Sequence, residues 1–141
     1  MAPLTINITF DGYWLEDNLN QIPVLSGIYC IYECTYVQKT NSVTLHQLIY
    51  IGESENVRNR IASHKKWGEW KYHIKAGNRL CFSHGYANPL IRERAEAAMI
   101  FQHKPELNED FKNWFPFDTT TIELDGKISF LEERFTVYQT E

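Results

Sequence analysis

The chain has 141 residues, 43% hydrophobic and 14% aromatic, with a formal net charge of −4. That size and apolar content suffice for a single domain spanning residues 1–141, and three cysteines without paired spacing (Cys30, Cys34, Cys81) point to reduced core thiols and exclude a disulfide framework. No stretch approaches the ~18 apolar residues of a membrane span, and no basic segment leads into an apolar run at the N-terminus, so a cytoplasmic protein without a membrane partner is expected.

In chain order, residues 4–10 alternate apolar and polar, the period of a half-buried strand. Residues 27–36 and 43–51 are rich in β-formers and flank Lys39-Thr40-Asn41-Ser42, which reads as a hairpin turn. In an antiparallel pair the numbers of opposing residues have a constant sum. A tight turn centred on Lys39-Thr40 or Thr40-Asn41 makes that sum odd, placing Tyr29 and Tyr50 on one face; a one-residue bulge would separate them.

Asn56 is a helix cap, and the spacing predicts a helix to about Lys66 with Val57 and Ile61 facing inward. Arg60 and His64, four apart, then share a stripe. Residues 80–86 form a third strand of the core, and Asn88-Pro89 opens a second helix that runs to about His103, where Lys104-Pro105 stops it. At the C-terminus, residues 119–124, Asp125-Gly126 and residues 127–131 read as a β-hairpin with a two-residue turn.

A net charge of −4 runs against a polyanionic partner until its distribution is considered. Residues 56–104 hold ten basic and three acidic side chains, a net of +7, so the remainder carries −11. A basic region on an acidic body suits phosphate binding, and an unevenly charged solvated helix face explains it equally well. Arg58, Lys65, Lys66 and Lys71 are the candidate nucleic-acid contacts, the lysines interleaved with Trp67, Trp70 and Tyr72.

Gly27-Ile28-Tyr29 and Tyr50-Ile51-Gly52 bracket the hairpin. Arg60 follows Gly52 by eight positions, His64 follows Arg60 by four, and Asn108 follows Glu96 by twelve. This ordered set, over about residues 23–110, resembles the GIY-YIG nuclease family. The resemblance implies an α+β fold: a central antiparallel sheet flanked by helices, here with an added N-terminal strand and C-terminal hairpin. It also implies a metal-dependent endonuclease that hydrolyses phosphodiester bonds, here expected in duplex or branched DNA.

The resemblance further assigns Glu96 as the ligand of Mg²⁺ or Mn²⁺, Arg60 as phosphate clamp, and Tyr29 as the base for water, with His64 relaying its proton. Tyr50 positions water or phosphate and Asn108 supports the site. A phenol with an ordinary pKa near ~10 is a poor base at neutral pH, so the role demands nearby positive charge. One site cuts one strand, and cutting both would require a homodimer or two encounters.

Each residue also has a structural reading: strand aromatics for Tyr29 and Tyr50, a solvated charge for Arg60, a helix end for His64, a surface pair with Arg92 for Glu96. Glu96 sits among Ala95, Ala97, Ala98, Met99 and Ile100, a poor place for an unemployed carboxylate. Glu53 stands where repair-type relatives tend to carry lysine, and the spacing from Tyr29 to Tyr50 is long for the family. The alternative is a non-catalytic module on this fold that binds nucleic acid or a protein.

Overall fold

The computed structural model describes residues 2–141. Six strands form one sheet: β1 (Leu4–Leu15), β2 (Gly27–Val37), β3 (Ser42–Ser54), β4 (Arg79–Tyr86), β5 (Thr120–Gly126) and β6 (Arg134–Val137), in the spatial order β3-β2-β4-β1-β5-β6. Three helices accompany it: α1 (Val57–Ala62), α2 (Trp67–His73) and α3 (Arg92–His103). The architecture is α+β, as the sequence predicts. The sheet is mixed, because β1 enters between β4 and β5 and runs parallel to β5. Alternation reveals that a strand has one buried face, but not the direction of its neighbour.

The hairpin of β2 and β3 keeps its odd register through two compensating irregularities. Val37 faces Ser42 next to the turn, a sum of 79, whereas Tyr29 faces Gly52 and Ile31 faces Tyr50, a sum of 81. Shifts between Glu33 and Cys34 and between Ile31 and Tyr32 each add one residue on β3. One bulge alone would have turned Tyr50 away from Tyr29; the pair restores it. The expectation of a shared face holds.

Alternation along β2 divides the interior in two. Ile28, Cys30, Tyr32 and Cys34 join the main core with Phe10, Ile51, Ala98 and Met99. Tyr29 and Ile31 face a second cluster with Ile49, Val57, Ile61, Trp70 and Phe82. The three cysteines are buried, free thiols. Buried Glu33 accepts hydrogen bonds from Gln47 Nε2 (2.8 Å), Lys75 N (2.9 Å) and Asn78 Nδ2 (2.7 Å). These outweigh its burial and hold its carboxyl below the usual range, which stabilises the approach to β4.

Besides β1, which runs on to Leu15 beyond the expected residues 4–10, three boundaries differ from the sequence expectation. The first predicted helix breaks: α1 ends at Ala62, Ser63 Oγ donates to the carbonyl of Asn59 (2.8 Å), and α2 restarts at Trp67. Asn56 does cap α1, its side chain accepting from Asn59 N at 3.1 Å, worth about 1 kcal/mol. The second helix begins at Arg92, because Asn88 Oδ1 accepts from Leu90 N (2.9 Å) and holds 88–91 as a turn. It ends where expected, with Lys104 left-handed ahead of Pro105. The C-terminal partner strand is β6 rather than residues 127–131. Lys127 N is taken by the carbonyl of Phe10 (2.8 Å), while Ile128 and Leu131 pack onto the core.

Candidate active site

The two motif glycines are dictated by space. A Cβ on Gly52 would collide with the ring and hydroxyl of Tyr29, which lies opposite it on β2. A Cβ on Gly27 would press to 2.7 Å from His84 Nε2 and onto the carbonyl of Gly85. Removing a side chain from β3 at position 52 therefore makes the volume in which the Tyr29 hydroxyl sits. Tyr50, two residues back on the same face, brings its ring centroid to 6.3 Å from that of Tyr29.

The break after α1 carries His64 out of the helix and over these tyrosines. Its Nε2 lies 3.0 Å from the Tyr29 hydroxyl, and its Nδ1 accepts the backbone N–H of Lys66 at 3.1 Å. In the neutral ring the proton must then reside on Nε2, which makes His64 a donor to the Tyr29 oxygen. Burial, followed by the charges of Arg60, Lys66 and Lys65, pushes the His64 pKa down to about 4, so the ring is neutral at pH 7. Trp70 packs against it at 4.5 Å and against Tyr50 at 5.4 Å, fixing both rings.

Arg60, exposed in the last turn of α1, makes no ion pair among the described residues. Its charge acts on Tyr29 and Tyr50. Burial raises the Tyr29 phenol well above its ordinary range, with Tyr50 adding to the rise and Arg60 opposing it. Burial, then Glu96, pushes Tyr50 up to about 12, again against Arg60. Both tyrosines are phenols at neutral pH.

Glu96 enters from α3 into a cavity of about 80 Å³ lined also by Tyr50, Lys66, Asn108, Glu109, Asp110 and Phe111. Burial, then Glu53, Glu93 and Asp110, pushes its carboxyl up to about 8. Arg92, the ion-pair partner considered from sequence, is instead held by Glu53 (2.6 Å) and Ser26 Oγ (2.9 Å). Glu96 accordingly has neither hydrogen bond nor ion pair among the described residues. A buried carboxyl under negative potential, beside a cavity that admits water, fits a hydrated divalent cation, whose charge would displace the proton. No cluster of three or more side-chain ligands gathers among the described residues, so protein donors would be few and water would complete the shell.

Asn108 substitutes for a missing strand. Its Oδ1 accepts from Ile51 N (2.9 Å) and its Nδ2 donates to Ile51 O (2.8 Å), while Leu107 N donates to Ile49 O (3.1 Å). The edge of β3 beside the YIG tripeptide is thereby closed and held straight.

Tyr50, Glu96 and Asn108 thus line one cavity, His64 packs against Tyr29 and Tyr50, and the charge of Arg60 acts on Tyr29, Tyr50 and Glu96. The basic candidates are less uniform. Lys65 is exposed, Lys66 pairs with Glu69 (3.6 Å), Lys71 pairs with Glu16 (2.8 Å), and Arg58 Nε donates to the carbonyl of Ile22 (2.6 Å). Arg79 and Arg92 are likewise paired with Asp17 and Glu53. Much of the charge excess of residues 56–104 is therefore spent within the protein. Asp110 lines the cavity without carrying any motif signal, whereas Glu53 was visible as the residue after Gly52 and Trp70 as one of the aromatics interleaved with the lysines.

Comparison with known families identifies the class of this domain. The family model for the GIY-YIG catalytic domain matches residues 26–109, more than half of the chain. The chain belongs to the GIY-YIG family, whose members are nucleases and generally depend on a divalent metal. Searches of curated proteins and of solved structures return no match.

Proposed function

We propose that the chain is a metal-dependent endonuclease acting on DNA, with Glu96 as the protein ligand of Mg²⁺ or Mn²⁺. The observation that carries this reading is the pairing of a phenol with a neutral histidine donor at 3.0 Å, beside an unpaired arginine and an unpartnered carboxyl. Glu96 would hold the cation, which would supply Lewis-acid stabilisation of the phosphoryl oxygens.

The remaining work falls to side chains. Arg60 offers a planar fork to the non-bridging oxygens of the scissile phosphate. Tyr29, its own proton released to solvent, takes the proton of the attacking water as the water oxygen bonds to phosphorus and the bond from phosphorus to the 3′-oxygen breaks, the departing oxygen taking a proton from solvent. Its phenolate is held by the Nε2 proton of His64 and by Arg60, so His64 acts as donor to the base rather than as acceptor of its proton. Tyr50 orients water or phosphate through its hydroxyl. The raised pKa of Tyr29 keeps it a phenol in the free protein; a cation held at Glu96 would add positive charge that, with Arg60, favours the phenolate.

Incubation with supercoiled plasmid, with Mg²⁺ or Mn²⁺ and with chelator, tests the reading. Nicking that requires metal and falls on the order of a thousand-fold in Glu96→Ala is expected. Cleavage at the wild-type rate by that variant removes the metal assignment. A folded wild-type protein that binds DNA but cuts no duplex, branched DNA or RNA leaves the binding module instead. Linear product arising without a nicked intermediate would indicate paired copies of the chain.

A further inference from the structure

Immediately beyond the family match, residues 110–114 run Asp-Phe-Lys-Asn-Trp. Phe111 forms part of the wall of the cavity that holds Glu96 and Tyr50, and its backbone is left-handed, φ 63°. A bulky residue adopts that conformation only under constraint, supplied here by packing against the core. The Trp114 ring lies nearly parallel to that of Phe111, 10° between planes and 6.4 Å between centroids. Trp114 is 57% exposed. An aromatic surface therefore runs outward from the metal cavity, one end inside the site and the other in solvent.

Charge decides what can rest on it. Glu109 and Asp110 line the same cavity as Phe111. Lys104 and Lys112, the nearest cations in the loop, are both directed onto backbone carbonyls, of Lys112 and Glu106 respectively. Lys66, which also lines the cavity, is paired with Glu69, so away from Glu96 and its cation a phosphate would meet the carboxylates of Glu109 and Asp110, whereas the flat, uncharged face of a nucleobase meets none of that repulsion and stacks on tryptophan. A base within a regular duplex has both faces occupied by its neighbours, so only an unpaired or unstacked nucleotide can use the surface.

We propose that Phe111 and Trp114 form a stacking platform for an unpaired nucleobase next to the scissile phosphate, directing the enzyme to single-stranded or flapped DNA over intact duplex. This rests on the nuclease reading and narrows its substrate class. The platform is distinct from the Arg60 clamp: one takes a base, the other a phosphate.

The test uses the full chain and one sequence presented as a single strand, a blunt duplex and a duplex with a single-stranded flap. Binding is followed by anisotropy in chelator, and circular dichroism verifies the fold of each variant. The platform predicts that Trp114→Ala weakens single-strand and flap binding roughly five- to hundred-fold and duplex binding much less, and that Trp114→Phe restores most of the loss. It also predicts that single strand quenches tryptophan emission in the wild type, and that this quenching disappears in Trp114→Phe while Trp14, Trp67 and Trp70 remain. Unchanged binding by Trp114→Ala, or quenching that persists in Trp114→Phe, overturns the platform even if the enzyme cuts DNA. Equal losses on all three substrates overturn the preference for an unpaired base. A wild-type protein that binds no nucleic acid removes both the platform and the nuclease reading, whereas the predicted binding losses without cleavage under either metal remove the nuclease alone.

Discussion

Tyr29 and Tyr32 lie three residues apart on one strand, on opposite faces of one sheet, and each is almost completely buried. Burial raises both phenols above their ordinary range. What separates them is the company of the hydroxyl. Tyr32 donates to the carbonyl of Ser129 (2.9 Å) within a core whose nearby Cys30 thiol is itself pushed up to about 12 by burial. Tyr29 meets the His64 ring at 3.0 Å and the charge of Arg60, and packs beside Tyr50, which lines a cavity. A buried polar atom closed by a carbonyl is spent on stability; one that faces a donor and a cation remains available for chemistry.

Removing each hydroxyl breaks or sharpens this comparison, and the largest effect is expected on the site face. Tyr29→Phe should lose about 10²- to 10⁴-fold in turnover while DNA affinity and folding are retained. Tyr32→Phe should cost about 1 kcal/mol, read as a lower urea midpoint, with turnover intact. Equal turnover losses from the two variants would erase the distinction between the faces, and an undiminished Tyr29→Phe enzyme would remove Tyr29 as base.

How much of this was legible depended on the kind of interaction. The tripeptides, Arg60, His64, Glu96 and Asn108 were readable because each is a fixed residue type at a fixed separation, and the odd sum for the hairpin is arithmetic. The two bulges on β3 were not readable, since a bulge leaves no composition signal and its parity effect cancels only in pairs. The break after Ala62 was hidden because Ser63 and His64 are tolerable in a helix; only the tertiary demand that His64 reach Tyr29 and Lys66 N favours ending it. The fate of the basic residues was equally invisible. Sequence counts charges, but it cannot show that Asp17, Glu16 and Glu53 return from other segments to pair with Arg79, Lys71 and Arg92.

The next largest effect is one of pH, and His64 carries it. Its folded pKa, about 4, lies below the ordinary 6.5, so the folded ring stays neutral while the unfolded one gains a proton. Stability from this group is therefore fully present above pH 6.5 and is lost as pH falls toward 4, by at most ~3 kcal/mol. Equilibrium unfolding at stepped pH should show His64→Gln with a flatter acid limb across that window. Part of the slope should persist, because burial also lowers His84 and His103. An unchanged limb would mean that His64 is already hydrated in the folded protein.

The smallest effects concern two glycines of different origin. At Gly52 a methyl group meets the Tyr29 ring, and neither can move far: Asn108 pins Ile51 next door, and Tyr29 is walled by Tyr50 and His64. Gly52→Ala should therefore cost about 1–3 kcal/mol from overpacking and reduce turnover by displacing the hydroxyl from His64. At Gly68, on the exposed side of α2, an added Cβ meets nothing within 4 Å. Gly68→Ala should stabilise by up to about 1 kcal/mol through helix propensity alone and leave cleavage untouched. If Gly52→Ala matched Gly68→Ala in both stability and turnover, position 52 would be a permissive strand residue whose missing side chain is not what makes room for the Tyr29 hydroxyl.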